Sequence, residues 1–138
     1  MMGVVFRTRT MGPADWQLIR HFKPQEFRYP ERMGYEFMLK LDRLRREAGV
    51  PMRITSDYRT KAHNKAVGGA ADSAHCDDVC EAVDVMPANS ADAFQIMRAA
   101  FLVGFSRIGI YANGSFHFDT TGERRPDHVL WHVVSNPA

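Results

Sequence analysis

The chain has 138 residues, enough for one domain with a workable core, and its 45% hydrophobic and 25% charged content excludes gross disorder. A formal net charge of +2 is too small to point to nucleic acid, and no apolar run approaches the roughly 20 residues that span a bilayer. Two cysteines, Cys76 and Cys80, are too few for a disulfide framework and read as thiols, with a small local disulfide or extra metal ligands as the other uses.

In chain order, residues 1–12 read as a loosely held leader punctuated by Gly3 and Gly12. Arg7 and Arg9 have no continuous apolar run behind them, so no secretory signal is expected and synthesis is placed in the cytoplasm. Pro13 and Asp15 suit the opening of a short helix near Trp16. Phe22 to Phe27 predicts a single turn with both phenylalanines inward. Tyr35, Met38, Leu41, Leu44 and Ala48 recur at helical spacing, and Gly49 and Pro51 end that helix. Residues 52–56 alternate as a strand that ends at Asp57-Tyr58-Arg59-Thr60, and a polar helical stretch follows to Val67. The turn at residues 68–71 then delivers the chain to Ser73 and His75. Residues 82–86 make a second strand. Asn89 or Ser90 caps a helix over residues 91–102, with Phe94, Met97, Ala100 and Phe101 expected on its buried face.

Residues 107–111 and 115–119 flank Asn113-Gly114, the strongest short hairpin signal, and residues 129–134 add one more strand. The clusters Arg43, Arg45, Arg46 and Arg124, Arg125 read as solvated surface charge. No repeat, low-complexity tract or long linker interrupts the chain. The expectation is one α+β domain over residues 1–138, with helices packed on a small, mainly antiparallel sheet.

Side chains two apart on a strand share a face, so His117 and Asp119 project together while Phe116 and Phe118 enter the core behind them. Asp84 is the one polar group in an apolar strand, where a carboxylate needs a cation or hydrogen-bond donors. Taken singly, Asp84 reads equally as a hydrogen-bonded structural carboxylate and His75 as an ordinary loop histidine. Taken together, His75, Asp84 and His117 are two imidazoles and a carboxylate able to converge on one divalent cation with a position left for water.

Further stretches surround these three. They are Ile54-Thr55-Ser56-Asp57-Tyr58-Arg59-Thr60, residues 63–70, Ser73-Ala74-His75, Ala82-Val83-Asp84-Val85, Gly104-Phe105, Ile108-Gly109-Ile110-Tyr111 and Phe116-His117-Phe118-Asp119-Thr120. In this order, over about residues 16–132, the chain resembles the zinc D-Ala-D-Ala carboxypeptidase and endopeptidase family of peptidoglycan hydrolases, whose fold is shared with the hedgehog signalling domain. The resemblance implies a hedgehog/DD-peptidase-like fold, with Zn2+ as cofactor on His75, Asp84 and His117. It implies Arg59 as the residue that holds the substrate's carboxylate, a bidentate grip that lysine does not reproduce. Ser73 falls on the small polar residue before the ligand, either hydrogen-bonding substrate in the site or shaping the loop.

Two features depart from the family. The loop from Cys76 to Val83 is longer than usual, which admits Asp77, Asp78, Cys76 or Cys80 as a substitute ligand. The carboxylate that several branches carry three residues before the last histidine is Gly114 here. Asp119 is the expected catalytic base in its place, with His128 and His132 as competing residues of the substrate site.

The activity so implied is that of a zinc metallopeptidase. A metal-activated water would cleave a D-alanine-containing bond in cell-wall stem or crosslink peptides, with Asp119 moving the proton. Peptidoglycan peptides are the implied partners; no nucleic acid and no membrane span are expected, and the protein is expected to be a monomer. It would reach the wall when released, as an endolysin-like phage or prophage enzyme does, or when carried on a phage particle. The alternative is a zinc-containing module of the same fold that binds wall peptides without hydrolysis. Carboxypeptidase and endopeptidase action both stay open.

Overall fold

The computed structural model describes residues 9–133. Tyr35–Ala48 forms helix α1 because Phe37, Met38, Leu41, Leu44 and Ala48 make one apolar stripe, and all five are buried. Gly49 ends it at φ 68°, in the left-handed region that suits glycine. Strand β1 (Arg53–Ser56) leads to helix α2 (Lys61–Ala66), capped by the Thr60 hydroxyl, which accepts from the His63 N–H. Then come β2 (Ala82–Met86), α3 (Ser90–Val103), β3 (Arg107–Tyr111), β4 (Phe116–Asp119) and β5 (Val129–Val133).

The strands make one five-stranded sheet in the order β1-β2-β4-β3-β5. Three of its pairs are antiparallel, but β5 lies parallel to β3. The α+β class and a mainly antiparallel sheet stand as expected; the single parallel pair makes the sheet mixed. The reason lies in residues 120–128, which carry the chain from the end of β4 back to the start of β3. There the Val129 N–H donates to the Ser106 carbonyl at 2.8 Å, so β5 must run in the direction of β3.

One face of the sheet is apolar. Val83, Val85, Ile108, Phe116 and Phe118 join the stripe of α1 and the inner face of α3 in one core. That inner face consists of Ile96, Ala99, Ala100 and Val103, with Met97 half-buried beside it; Ala100 and Met97 lie as predicted, and Phe94 and Phe101 do not. Phe94 and Phe101 are exposed, at 66% and 58%. Two apolar stripes compete on α3, and small alanines let it lie close against α1. Phe105, just beyond the helix, packs edge-on against Phe37 and supplies the aromatic contact instead.

Phe22 and Phe27 point inward as predicted, with Trp16 against Phe27. Residues 9–12, the described part of the expected leader, make contacts with the rest of the chain. Thr10 bridges Gly34, the Met11 N–H donates to the Met33 carbonyl at 2.8 Å, and Arg9 pairs with Asp15 at 2.6 Å. Residues 1–8 of that leader, and Val134 of the predicted last strand, lie outside the described residues.

Arg124 and Arg125 are also not free surface charges. Arg125 grips both oxygens of Asp77 at 2.9 and 3.0 Å, and Arg124 reaches Asp77 and Glu81. Together they clamp the long 76–83 loop to the segment before β5.

Candidate metal centre

Strand pairing sets one row of residues across all five strands: Ser56, Asp84, His117, Gly109 and Trp131. Alternation sends the neighbours of this row, Val83, Val85, Phe116 and Phe118, into the helical core, so the row occupies the opposite face. Asp84 and His117 are direct cross-strand partners. Local pattern marks each as a polar group in an apolar strand; the register makes them adjacent.

His75 arrives from outside the sheet. After α2 the chain doubles back at Gly69, where a Cβ would lie 2.0 Å from Asn64 Oδ1, so only glycine closes this turn over the buried Asn64. Ser73 Oγ then accepts the His75 N–H at 3.2 Å and opens a single 3-10 turn, Ala74–Cys76. The Arg59 N–H donates to the His75 carbonyl at 2.8 Å, and His75 Nδ1 donates to the Asp57 carbonyl at 2.7 Å. The exit of β1 thereby fixes both backbone and ring of His75.

Three atoms converge. His75 Nε2 lies 3.2 Å from Asp84 Oδ1 and 3.2 Å from His117 Nδ1, and the last two are 3.1 Å apart. A carbonyl only accepts, so the hydrogen of His75 sits on Nδ1 and its Nε2 lone pair is bare. His117 Nε2 is 2.6 Å from Asp119 Oδ2, which draws one hydrogen outward and leaves Nδ1 facing Asp84. Two ring nitrogens and a carboxylate oxygen at such distances need a cation among them, a metal ion or, without it, a second proton on His117. Corners of a tetrahedron around an ion with bonds of about 2.0 Å are about 3.3 Å apart, close to the triangle seen here. The residues fit a divalent metal, and the hydrogen bonds behind both rings are those that orient metal-bound histidines.

Among the described residues His75, Asp84 and His117 form the group that can hold a metal. The substitute ligands allowed by the long loop do not join them. Asp77 is bound by the two arginines, Asp78 is exposed, and Cys76 is half-buried. Cys80 is buried and donates its thiol to the Ala82 carbonyl; burial pushes that thiol up to about 12. Both cysteines are free thiols.

The remaining predicted site residues are placed as follows. Arg59 is buried, and its three nitrogens point at protein acceptors: Nε at Ser56 Oγ (3.0 Å), Nη1 at Asn64 Oδ1 (3.1 Å) and Nη2 at Asp84 Oδ2 (3.1 Å). Asp119 stands behind the His117 ring, away from the triangle. Its Oδ1 accepts from Arg107 Nε (2.8 Å), the Thr121 N–H (2.9 Å) and Thr121 Oγ1 (2.8 Å). His128 is exposed at φ 55° beside Asp127, and His132 is exposed on β5. Neither lines the hollow in front of the triangle, because alternation along β5 turns Trp131 inward and His132 outward.

That hollow measures about 690 Å³ and has Trp131, Lys65, Ser73 and Tyr111 among its walls. Sequence reasoning gave no site role to Trp131, Tyr111, Asn64 or Arg107. A signal existed for one of them: Gly109 interrupts an apolar strand, which marks a close approach. A Cβ there would come 2.7 Å from the Trp131 indole. Trp131 leans over this gap onto His117 (ring centroids 5.2 Å apart), and the Arg107 guanidinium stands 5.2 Å over the indole.

Charge follows from the same contacts. Burial opposes ionisation of Asp84, yet the facing imidazoles outweigh it and hold its carboxyl well below the usual range. Burial likewise opposes a charged His117, but the hydrogen bonds and charges of Asp119 and Asp84 outweigh it and lift the imidazole to about 9. The metal-free site therefore carries a proton on His117 at neutral pH. Because this pKa lies above the ordinary value of about 6.5, the stability it contributes is complete below about pH 6.5 and is lost as pH rises through about 9.

A metal must displace that proton. Titration calorimetry at pH 7 in buffers of different ionisation enthalpy should show about one proton released per ion, with affinity rising towards pH 9. Uptake without proton release would contradict this arrangement.

The family model described as Peptidase M15 matches residues 20–119, a stretch that contains the three converging residues together with Arg59 and Asp119. No curated protein and no solved structure matches the chain.

Proposed function

The chain belongs to the Peptidase M15 family, whose members are zinc-dependent, and from that premise we propose that it is a zinc peptidase acting on peptidoglycan. The bond cleaved would contain D-alanine, in a stem or crosslink peptide. One observation carries the reading: His75 Nε2, His117 Nδ1 and Asp84 Oδ1 meet with the other nitrogen of each imidazole engaged behind it. Bound Zn2+ would supply a Lewis acid and a water of lowered pKa at the floor of the hollow.

The chain's own residues do the positioning. Asp57 and Asp119 set the tautomers and tilts of the two histidines. Arg59 takes the outer oxygen of Asp84, which keeps the inner oxygen facing the rings. Trp131 packs against the His117 ring, and Thr121 donates twice to Asp119 Oδ1. In this reading Asp119 is a positioning residue and not the water's base, since both of its oxygens are engaged behind the ring. Ser73 holds the turn that presents His75, and His128 and His132 take no part. Action as a monomer, reaching the wall by release or on a phage particle, belongs to the same proposal.

A second reading is a zinc-containing module that binds wall peptides without cutting them. It is favoured by Gly114, which occupies the hairpin turn at φ 93° where several branches carry a carboxylate. Incubation of metal-loaded protein with purified peptidoglycan and with a peptide ending in D-Ala-D-Ala separates the two. The expected result is new amino termini or soluble fragments, lost with a chelator and restored by Zn2+. Stoichiometric metal with no fragments from either substrate would favour the module.

A further inference from the structure

We infer that the hollow beside β1 binds a carboxylate of the wall peptide, so that the protein selects peptides with a free acid side chain at one position over the same peptides amidated there. The inference rests on the reading above that the cleft takes such peptides, and it holds whether the peptide is cut or only bound.

This hollow measures about 430 Å³ and lies between the exit of β1 and residues 27–29. It shares Thr55, Ser56, Arg59 and His63 with a smaller one of about 190 Å³, and Asp84 of the metal centre borders the smaller one. An extended peptide advances about 3.3 Å per residue, so a chain crossing the metal centre can set a residue a few positions away in this space.

The charges around the hollow are unequal in what they already hold. Two carboxylates border it, and both accept from backbone. Asp57 Oδ2 takes the Tyr29 N–H at 2.7 Å, and Glu26 Oε2 takes the Lys23 N–H at 2.7 Å. Arg28, exposed on the rim, has no carboxylate partner among the described residues. Its guanidinium stands 5.8 Å over the Tyr29 ring, Tyr29 meets Tyr58 edge-on at 5.2 Å, and Arg32 stands 4.8 Å over the Tyr58 ring. The rings hold each guanidinium by its face and leave the planar N–H edge free, which is the edge that grips a carboxylate. His63, exposed on α2, adds a ring N–H to the same wall.

The larger hollow in front of the converging atoms also offers an exposed cation, Lys65. Lysine is a point charge on a flexible stem. A guanidinium already laid on an aromatic ring loses less freedom when it takes an acid, so Arg28 is the stronger anion site of the two.

The test uses zinc-loaded protein and a dye-labelled, D-alanine-containing peptide in which one residue is either D-glutamate or D-glutamine, moved through each position in turn. Its D-alanine amides are N-methylated so that nothing is cut, and binding is read by fluorescence anisotropy. At one position the acid should bind about tenfold more tightly than the amide. Raising the salt from about 0.05 to about 0.5 M should narrow that ratio, because exposed charges are screened. Arg28→Gln should bring the ratio to about two or less while metal content and circular dichroism stay unchanged. Lys65→Gln should leave it intact. Equal affinity of acid and amide at every position, or a preference that survives Arg28→Gln, would overturn this inference and leave the peptidase reading standing. No binding of any peptide, together with no turnover of the unmethylated forms, would overturn both.

Discussion

His117→Ala protein is expected to fold, to purify without its metal ion and to cleave no peptide. Zinc sites of this kind bind with on the order of 10 kcal/mol at neutral pH, shared here among three ligands, so losing one removes roughly 3 kcal/mol, at least about a hundredfold in affinity. Folding survives because the deletion orphans no buried charge. Asp84 keeps Arg59, and Asp119 keeps Arg107 and Thr121. The core side of the same strand, Phe116 and Phe118, is untouched. The variant also loses the group whose proton the ion displaces, so any residual metal uptake should no longer strengthen between pH 6.5 and about 9. Metal per chain by atomic emission, with circular dichroism as the folding control, reads the result. A folded His117→Ala protein with one ion per chain would remove His117 from the ligand set.

The three converging residues were legible because each stands out locally. Asp84 is a lone carboxylate among valines, His117 alternates with two phenylalanines, and His75 follows a glycine-rich turn. What local pattern does not carry is register. Nothing in residues 82–86 or 116–119 says that Asp84 lies opposite His117, or that Gly109 and Trp131 continue the same row. That alignment depends on the Asn-Gly hairpin and on the return path of residues 120–128, which also made β5 parallel. The buried face of α3 was partly misjudged for a related reason. Phe94 and Phe101 have the larger apolar area, but the approach of α1 selects Ala99 and Ala100, a choice made by the partner helix.

Asp119 was placed on the correct face of the sheet, yet its contacts with the outer nitrogen of His117 and with Arg107 did not follow from that face. Two steps along a strand separate it from His117 by roughly 7 Å, which lets its carboxylate reach the outer nitrogen of the ring. Asp84, directly across the ladder at roughly 5 Å, reaches the inner nitrogen. Sharing a face with a ligand and sharing its metal are therefore different conditions. Distance along the strand decides between them. Arg59 teaches the same lesson: its position in the motif is as expected, while its partners are the protein's own acceptors.

Asp119→Asn is the substitution that separates positioning from proton transfer. The amide keeps the shape and can still accept from His117 Nε2, but it carries no charge, and its amino group faces either the His117 or the Arg107 and Thr121 donors. Hydrogen bonds behind a metal-bound histidine are typically worth 10–100-fold in affinity or activity, so zinc should bind about 10–100-fold more weakly. The pKa of metal-free His117 should fall below about 9, because Asp119 is one of the two groups that raise it. Stability of the metal-free variant should then decline at a lower pH than in the parent protein, since the protonated imidazole is lost earlier. At saturating zinc kcat should be largely retained. A general base behaves in the opposite way: its loss lowers kcat by typically about 100–10,000-fold and leaves metal affinity alone. Zinc titration by competition with a chelating dye, followed by kcat at saturating metal, reads both quantities on one preparation. Unchanged affinity with a collapsed kcat would return Asp119 to the role of base and require the carboxylate to swing out from behind the ring.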